Sequence, residues 1–244
     1  MSDTQQTIGF IFAMPIELEP FAARLALVET DIGGVSAYTG SLAGRDVVAI
    51  VTGMGMDFAR AGVEQLLDAL PLEWVVVVGI TGALENETPI GTLILPEVVV
   101  NSRTLQEWQP AAMGGGTPRG KMWTSDGITS NRDGMLEQLL GQGVVSLDME
   151  TAAIAEACEA RGVPWSVFRV ISDRASDGTV DDEVFKLSNM DGTPNVEAIE
   201  AYVDKYPERI PVLAQMAEDC ALATRTASDE AIRAVEMYIA AHPG

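Results

Sequence analysis

Three carboxylates stand where a chain of this pattern would place ligand chemistry. Glu17 closes Ala13-Met-Pro-Ile-Glu17, Glu150 lies in Leu147-Asp-Met-Glu-Thr151, and Asp173 ends Val170-Ile-Ser-Asp173. Each follows a strand-like segment, and open α/β sheets bind ligands beyond the carboxyl ends of their strands. Each also has a purely structural reading. An acid in the first turn of a helix is favoured by about 0.3–1 kcal/mol, which alone would account for Glu17. Asp148 suits an N-cap, and an Asp at a strand end, such as Asp173, is ordinary turn chemistry. Glu150 differs, because the helix after it is small and apolar (Ala152, Ala153, Ile154, Ala155, Ala157) and reads as buried. A buried carboxylate needs hydrogen-bond donors, and vicinal sugar hydroxyls are donors of that kind.

Composition removes several other chemistries. The single histidine, His242, is two residues from the C-terminus, and the only cysteines, Cys158 and Cys220, form no C-x-x-C pair. Ser-His-Asp and Cys-His catalysis and a histidine-based metal site are therefore not expected, and the cysteines read as reduced thiols on helices. No metal or cofactor is expected. The 36 acids outweigh the 15 Lys and Arg, for a net charge of −21. Nucleic acid and anionic membranes, which need clustered basic residues, are not expected partners. No apolar run approaches the roughly 18–20 residues of a membrane span. Met1 to Thr7 lacks the basic region of a signal peptide, so the expected location is the cytoplasm.

The elements that must position the acids follow from periodicity. Ile8–Ala13 reads as a buried strand, Ile16–Leu27 as a helix, and Val35–Leu42 with Asp46–Thr52 as a hairpin turning at Ala43-Gly44. Asp57–Leu70 reads as a helix, Trp74–Val78 as a strand bounded by Gly79, and Gly91–Asn101 as another strand. Leu105–Gly120, with glycines at 114–116, reads as a mobile loop. Met135–Leu140 and Glu150–Arg161 read as helices around the strand Val144–Leu147, and Trp165–Ile171 is a further strand. Strands apolar on both faces, alternating with helices, predict a largely parallel sheet covered on both sides. From Asn195 to Ala241 the pattern is helical, with a break at Pro207 and Pro211 and a plausible N-cap at Ser228. The 244 residues suit one domain, with a core over about 8–185 and the helical tail over about 195–241. Two glycine turns follow strands. Gly53-Met-Gly55 lacks the third glycine of a dinucleotide fingerprint, since Phe58 holds its place, and it reads as a tight turn with close backbone approach. In Gly79-Ile-Thr-Gly82, Thr81 is placed either to donate to a ligand or to cap the turn.

Ile8-Gly-Phe-Ile-Phe-Ala-Met-Pro-Ile-Glu17, Thr52-Gly-Met-Gly55, Gly79-Ile-Thr-Gly-Ala-Leu84, Ser146-Leu-Asp-Met-Glu-Thr-Ala-Ala153 and Val170-Ile-Ser-Asp173 together resemble the nucleoside phosphorylase superfamily. Within it they look most like the 5′-methylthioadenosine/S-adenosylhomocysteine nucleosidases. The resemblance implies an α/β fold, a three-layer α/β/α sandwich with a central mixed, mostly parallel sheet, here with extra C-terminal helices, usually assembled as a homodimer. It implies hydrolysis of the N-glycosidic bond of an adenine-type nucleoside. Asp173 would hold the purine and protonate N7, with Ser172 placing it, and Glu17 would engage the nucleophilic water. Glu150 would bind the ribose hydroxyls over Met149. Ile128 and Thr129 would contact the base, Thr81 and Gly82 would line the site, and Met14, Met54 and Phe185 would line the pocket for the 5′ group. The chain departs from the family at Pro15-Ile16, at Ile80 and over Val180–Asn195, all near the sugar and its 5′ end.

An Asp titrates ordinarily near about 3.9, so a proton donor at Asp173 requires burial or neighbouring acids, with Glu17 and Glu150 as candidates for the latter. A phosphorylase of the same superfamily is the nearest rival, but it needs a cationic pocket where this chain has Glu17. A nucleoside-binding relative without turnover would not need a proton donor. A dinucleotide-dependent oxidoreductase needs the fingerprint that is missing. Other nucleosides, futalosine-like compounds included, stay open.

Overall fold

The structure, a computed structural model, describes residues 7–129 and 134–242; the reading of the polar N-terminus falls almost wholly outside them. β1 (Thr7–Phe12) is buried along its whole length. Its alternate side chains feed two different cores, so it lies at the centre of a sheet covered on both faces. α1 (Pro15–Leu25) follows, with Phe21 packed on Phe10 and Phe12 at ring distances of 4.4 and 5.3 Å. β2 (Val28–Ile32), β3 (Val35–Leu42) and β4 (Arg45–Val51) form an antiparallel run, and β4 pairs in parallel with β1. β2 was not expected; it is a largely exposed edge strand whose Val-Glu-Thr-Asp-Ile carries little apolar signal.

α2 (Met56–Ala69) leads into β5 (Leu72–Ala83), which is longer than the expected Trp74–Val78. Gly79 does not end it. β5 pairs with β1 along its first half, with β11 (Trp165–Arg174) along most of its length, and with β10 (Val144–Asp148) at its last two residues. The expected strand Gly91–Asn101 is split into β6 (Leu93–Ile94) and β7 (Val98–Asn101), because Pro96 between them has no N–H to give a ladder. The expected loop after it is held in place. β8 (Glu107–Trp108) pairs with β7, Trp108 and Met113 are buried, and Gly114 passes so close to α7 (Ile210–Ala241) that a Cβ would lie 2.8 Å from that of Ala234. β9 (Lys121–Thr124), α3 (Met135–Gly141), β10 (Val144–Asp148), α4 (Thr151–Arg161) and β11 (Trp165–Arg174) follow.

α5 (Asp182–Phe185), α6 (Val196–Lys205) and α7 (Ile210–Ala241) complete the chain, with the break between the last two at a short 3₁₀ turn, Pro207–Arg209. Ser228 caps nothing. It lies inside the 32-residue α7, on the same small-residue face as Ala223, Ala227 and Ala231, which is buried against the sheet. Packing of that face overrides the local preference of Ser-Asp-Glu for a helix start.

The sheet is mixed. It runs β2-β3-β4-β1-β5-β10-β9-β7-β8, with β11 on the other edge of β5 and β6 beyond it. One face packs on α2 and α4, the other on α1 and α7, giving three layers. Among the described residues no helix is long and apolar enough to cross a membrane.

Candidate active site

The ends of β1, β5, β10 and β11 converge on a cavity of about 580 Å3. Glu17, Glu150 and Asp173 all lie in its wall. So do Met14, Met54, Thr81 and Gly82, and so do Ile128, Thr129, Met149, Ser172 and Phe185. The sequence-level set is therefore brought together in one place.

Glu17 combines its structural and functional readings. Its carboxylate accepts from the N–H groups of Ala13 and Met14, both at 2.9 Å, and so satisfies free donors at the start of α1. It also accepts from Ile80 N–H at 2.8 Å and from Arg169 Nη1 at 3.4 Å. Burial pushes its pKa up; the Arg169 charge and the backbone donors oppose the shift. Gly79 is what lets β5 pass this carboxylate. At φ +154°, a Cβ there would overlap Glu17 and stand 2.6 Å from Arg169 Nη1. The glycine expected to make a turn instead makes room.

Arg169 was not foreseen. It is 1% exposed, in the middle of β11, and its guanidinium is the shared counter-charge of three acids: Glu17, Asp148 at 3.0 Å and Glu150 at 3.1 Å. The signal was present, since one Arg inside the apolar run Trp165–Ile171 must be paired if the strand is buried. Its partners come from α1, the end of β10 and the N-cap of α4, which no spacing in the sequence connects. Glu150 also accepts from Gly55 N–H at 2.8 Å, so its donors come from the protein itself. Burial pushes Glu150 up to about 7; Arg169 opposes the shift, while Asp148 and Glu17 add to it. Gly55 is positioned in turn by the Gly53–Met54 turn, whose Met54 N–H donates to Met190 O at 2.8 Å. Asp148 does act as a cap, accepting from Thr151 N–H at 2.8 Å and from the Thr151 hydroxyl, while Thr124 Oγ1 donates to it at 2.6 Å.

Asp173 sits within β11 rather than after it. The register against β5 slips by one residue, from Ile171 opposite Thr81 to Asp173 opposite Gly82, which leaves Ser172 as a bulge. Ser172 and Asp173 then both face the cavity, and Ser172 Oγ donates to Asp173 Oδ1 at 2.7 Å. Burial raises the Asp173 pKa; the Ser172 hydrogen bond opposes this and the charge of Asp177 adds to it. The neighbouring acid that adds to the shift is thus Asp177, not Glu17 or Glu150. Gly82 backs Asp173 closely: a Cβ on it would lie 3.1 Å from Oδ2.

Thr81 gives its hydroxyl proton to Leu147 O at 2.7 Å, tying β5 to β10, and Thr129 Oγ1 lies 3.0 Å from Ser125 Oγ. Among the described residues, no three His, Cys, Asp or Glu side chains form a group able to hold a metal ion; the acids here converge on a guanidinium.

Known proteins share this arrangement of elements. A 5′-methylthioadenosine/S-adenosylhomocysteine nucleosidase of Glaesserella parasuis serovar 5 is 26% identical over 198 residues, covering 69% of this chain and 86% of that protein. Futalosine hydrolase of Helicobacter pylori superposes with a TM-score of 0.72 at 16% identity, over 97% of this chain and all of that one. The 5′-methylthioadenosine/S-adenosylhomocysteine nucleosidase of the same organism, solved with a bound ligand, gives 0.71 at 16% identity over 96% of this chain and all of that one. The family model described as the phosphorylase superfamily matches residues 7–112 and 104–205, most of the described sheet and all three acids of the cavity, and the chain belongs to that superfamily.

Proposed function

We propose that this protein is a purine nucleosidase, which uses water to break the N-glycosidic bond of an adenine-type nucleoside. The observation that carries the reading is Asp173: a carboxyl with a raised pKa, in the wall of a nucleoside-sized cavity that it shares with an anionic cluster. Breaking the bond sends its electron pair into the purine and leaves positive charge on the ribose. Asp173 donates its proton to N7 and so neutralises the leaving base. Glu17 and Glu150, in the wall of the same cavity, favour the cationic sugar. Water adds to the anomeric carbon and loses its proton toward Glu17. Glu17 already accepts four hydrogen bonds, of which the 3.4 Å contact with Arg169 is the weakest and the first to yield to a water. Arg169 positions Glu17 and Glu150, and Glu150 receives the ribose hydroxyls.

5′-Methylthioadenosine and S-adenosylhomocysteine, named for the sequence relatives, are the first substrates to try, with futalosine third. A cytoplasmic homodimer, expected from the resemblance in sequence, is part of the same proposal. The test is base release in phosphate-free buffer. A free sugar that keeps its 5′ group, such as 5-methylthioribose from 5′-methylthioadenosine, supports the reading, and a requirement for phosphate with the 1-phosphate of that sugar as product overturns it. Asp173→Asn should lower turnover by about 10²–10⁴-fold with the fold retained; near-normal turnover in that variant overturns the role of Asp173.

A further inference from the structure

One side chain outside the cavity joins two of its walls. The loop after β9, residues 125–129, gives Ser125, Gly127, Ile128 and Thr129 to the wall assigned above to the base. Asp126 is the residue of this loop that does not line the cavity, and its carboxylate is taken by Arg103, which donates from Nε and Nη2 at 2.5 Å each. The same guanidinium donates from Nη1 and Nη2 to Asp57 at 2.7 and 3.2 Å. Asp57 stands in the first turn of α2, two residues after Gly55, whose N–H holds Glu150 in the wall assigned to the ribose.

Arg103 is itself held by the backbone. It lies in the turn between β7 and β8, where the buried Asn101 side chain accepts from the N–H groups of Arg103 at 2.8 Å and Thr104 at 3.3 Å. Ser102 N–H donates to Thr124 O at 3.0 Å, which fixes the turn to the last residue of β9, directly before the loop. The two contacts of the guanidinium are fork-shaped, a geometry that an ammonium cannot reproduce. They are also open to water: the side chains of Arg103, Asp126 and Asp57 are 41, 49 and 77% exposed. Exposed pairs contribute little to folding stability. Four charge-assisted hydrogen bonds between two segments of the cavity wall still restrict where those segments stand.

We propose that Arg103 is a positioning residue for nucleoside binding, which clasps the base wall to the ribose wall through Asp126 and Asp57 and keeps the cavity in its binding shape before the ligand arrives. What the cavity binds rests on the nucleosidase reading; the clasp does not. Apparent affinity scales with the fraction of molecules already in the binding shape. Loosening the clasp therefore raises KM, while Glu17 and Asp173, carried by α1 and β11, sustain kcat.

The test compares the purified full chain with Arg103→Ala, Arg103→Lys, Asp126→Ala, Asp57→Ala and the double variant Arg103→Ala/Asp126→Ala. In Arg103→Ala the KM for 5′-methylthioadenosine should rise about tenfold with kcat within about twofold, as for a binding-competent fraction cut to a tenth. The melting temperature should stay near the parent's. Arg103→Lys should recover only part of the loss. The double variant should be no worse than Arg103→Ala, because both changes break one contact. Salt should raise the KM of the parent toward that of Arg103→Ala and leave the variant's flat. Hydrogen exchange of the amides of residues 125–129, measured without ligand, should quicken about tenfold in Arg103→Ala. Unchanged exchange overturns the clasp. An unchanged KM, a loss confined to kcat, or a lower melting temperature with KM unchanged overturns its role in binding, and the nucleosidase reading stands. If the parent cleaves no nucleoside, that reading falls, and the exchange measurement alone decides the clasp.

Discussion

Arg169 Nη2 donates to Glu150 Oε2 at 3.1 Å, with both side chains buried and contributed by different strands and turns. The pair is part of a larger unit, since the same guanidinium holds Glu17 and Asp148. Removing one partner of a buried ion pair typically costs about 3–5 kcal/mol, because the other charge is left without compensation. Arg169→Ala should lower the unfolding free energy by that amount, read as a drop in the denaturant midpoint. Arg169→Lys keeps the charge but cannot span three acids, and should fall between the two. Parent-like stability in Arg169→Ala would contradict the counter-charge role.

Glu150 makes stability depend on pH. Its folded pKa lies at about 7, above its ordinary 4.5, so the native state holds the proton more tightly than the unfolded chain does. The stabilisation linked to that proton is complete below about 4.5 and is lost as pH rises through about 7. Glu150→Gln cannot titrate. The unfolding free energy of the parent minus that of Glu150→Gln should therefore decline as pH is raised from 4.5 to above 7, and a difference constant with pH would refute the shift.

Gly82 is predicted to matter to rate more than to stability. Its backbone does not need a left-handed conformation, but a Cβ would press on Asp173 Oδ2 at 3.1 Å. Misplacing a catalytic group by a fraction of an ångström costs on the order of tenfold. Gly82→Ala should lose roughly that in kcat with a melting temperature near the parent's; equal rates would show that Asp173 has room to adjust.

Ser228 offers the opposite case. Its hydroxyl is buried inside α7 with no hydrogen-bond partner among the described residues. Ser228→Ala removes an unsatisfied polar group and improves helix propensity, so a gain of about 0.5–1 kcal/mol is expected in thermal or denaturant unfolding. A loss of stability would mean that the hydroxyl has a partner in solution.

The legible parts of this fold are those where a local pattern and the tertiary environment agree. β1 and the helix after Glu150 were visible because β1 is buried along its whole length and the helix along most of its own, which leaves runs of apolar residues. The acids of the cavity were visible because they follow such runs directly. Arg169 was missed because its meaning lies in contacts with residues 17, 148 and 150, which only the folded sheet assembles. β2 was missed because an edge strand half in water needs few apolar residues, and Ser228 was misread because a cap signal inside a long helix is cancelled by packing that no short window contains.

The one-residue slip in the register at Ser172 makes this site sensitive to length as well as to residue type. A regular strand turns successive side chains to opposite faces, so the serine and the aspartate can share a face only because one residue is surplus there. Closing that slip by deleting a single residue between Arg169 and Asp173 would restore the alternation and turn one of the pair away from the cavity. Chains that tolerate many exchanges in this stretch of sequence should tolerate no change in its count.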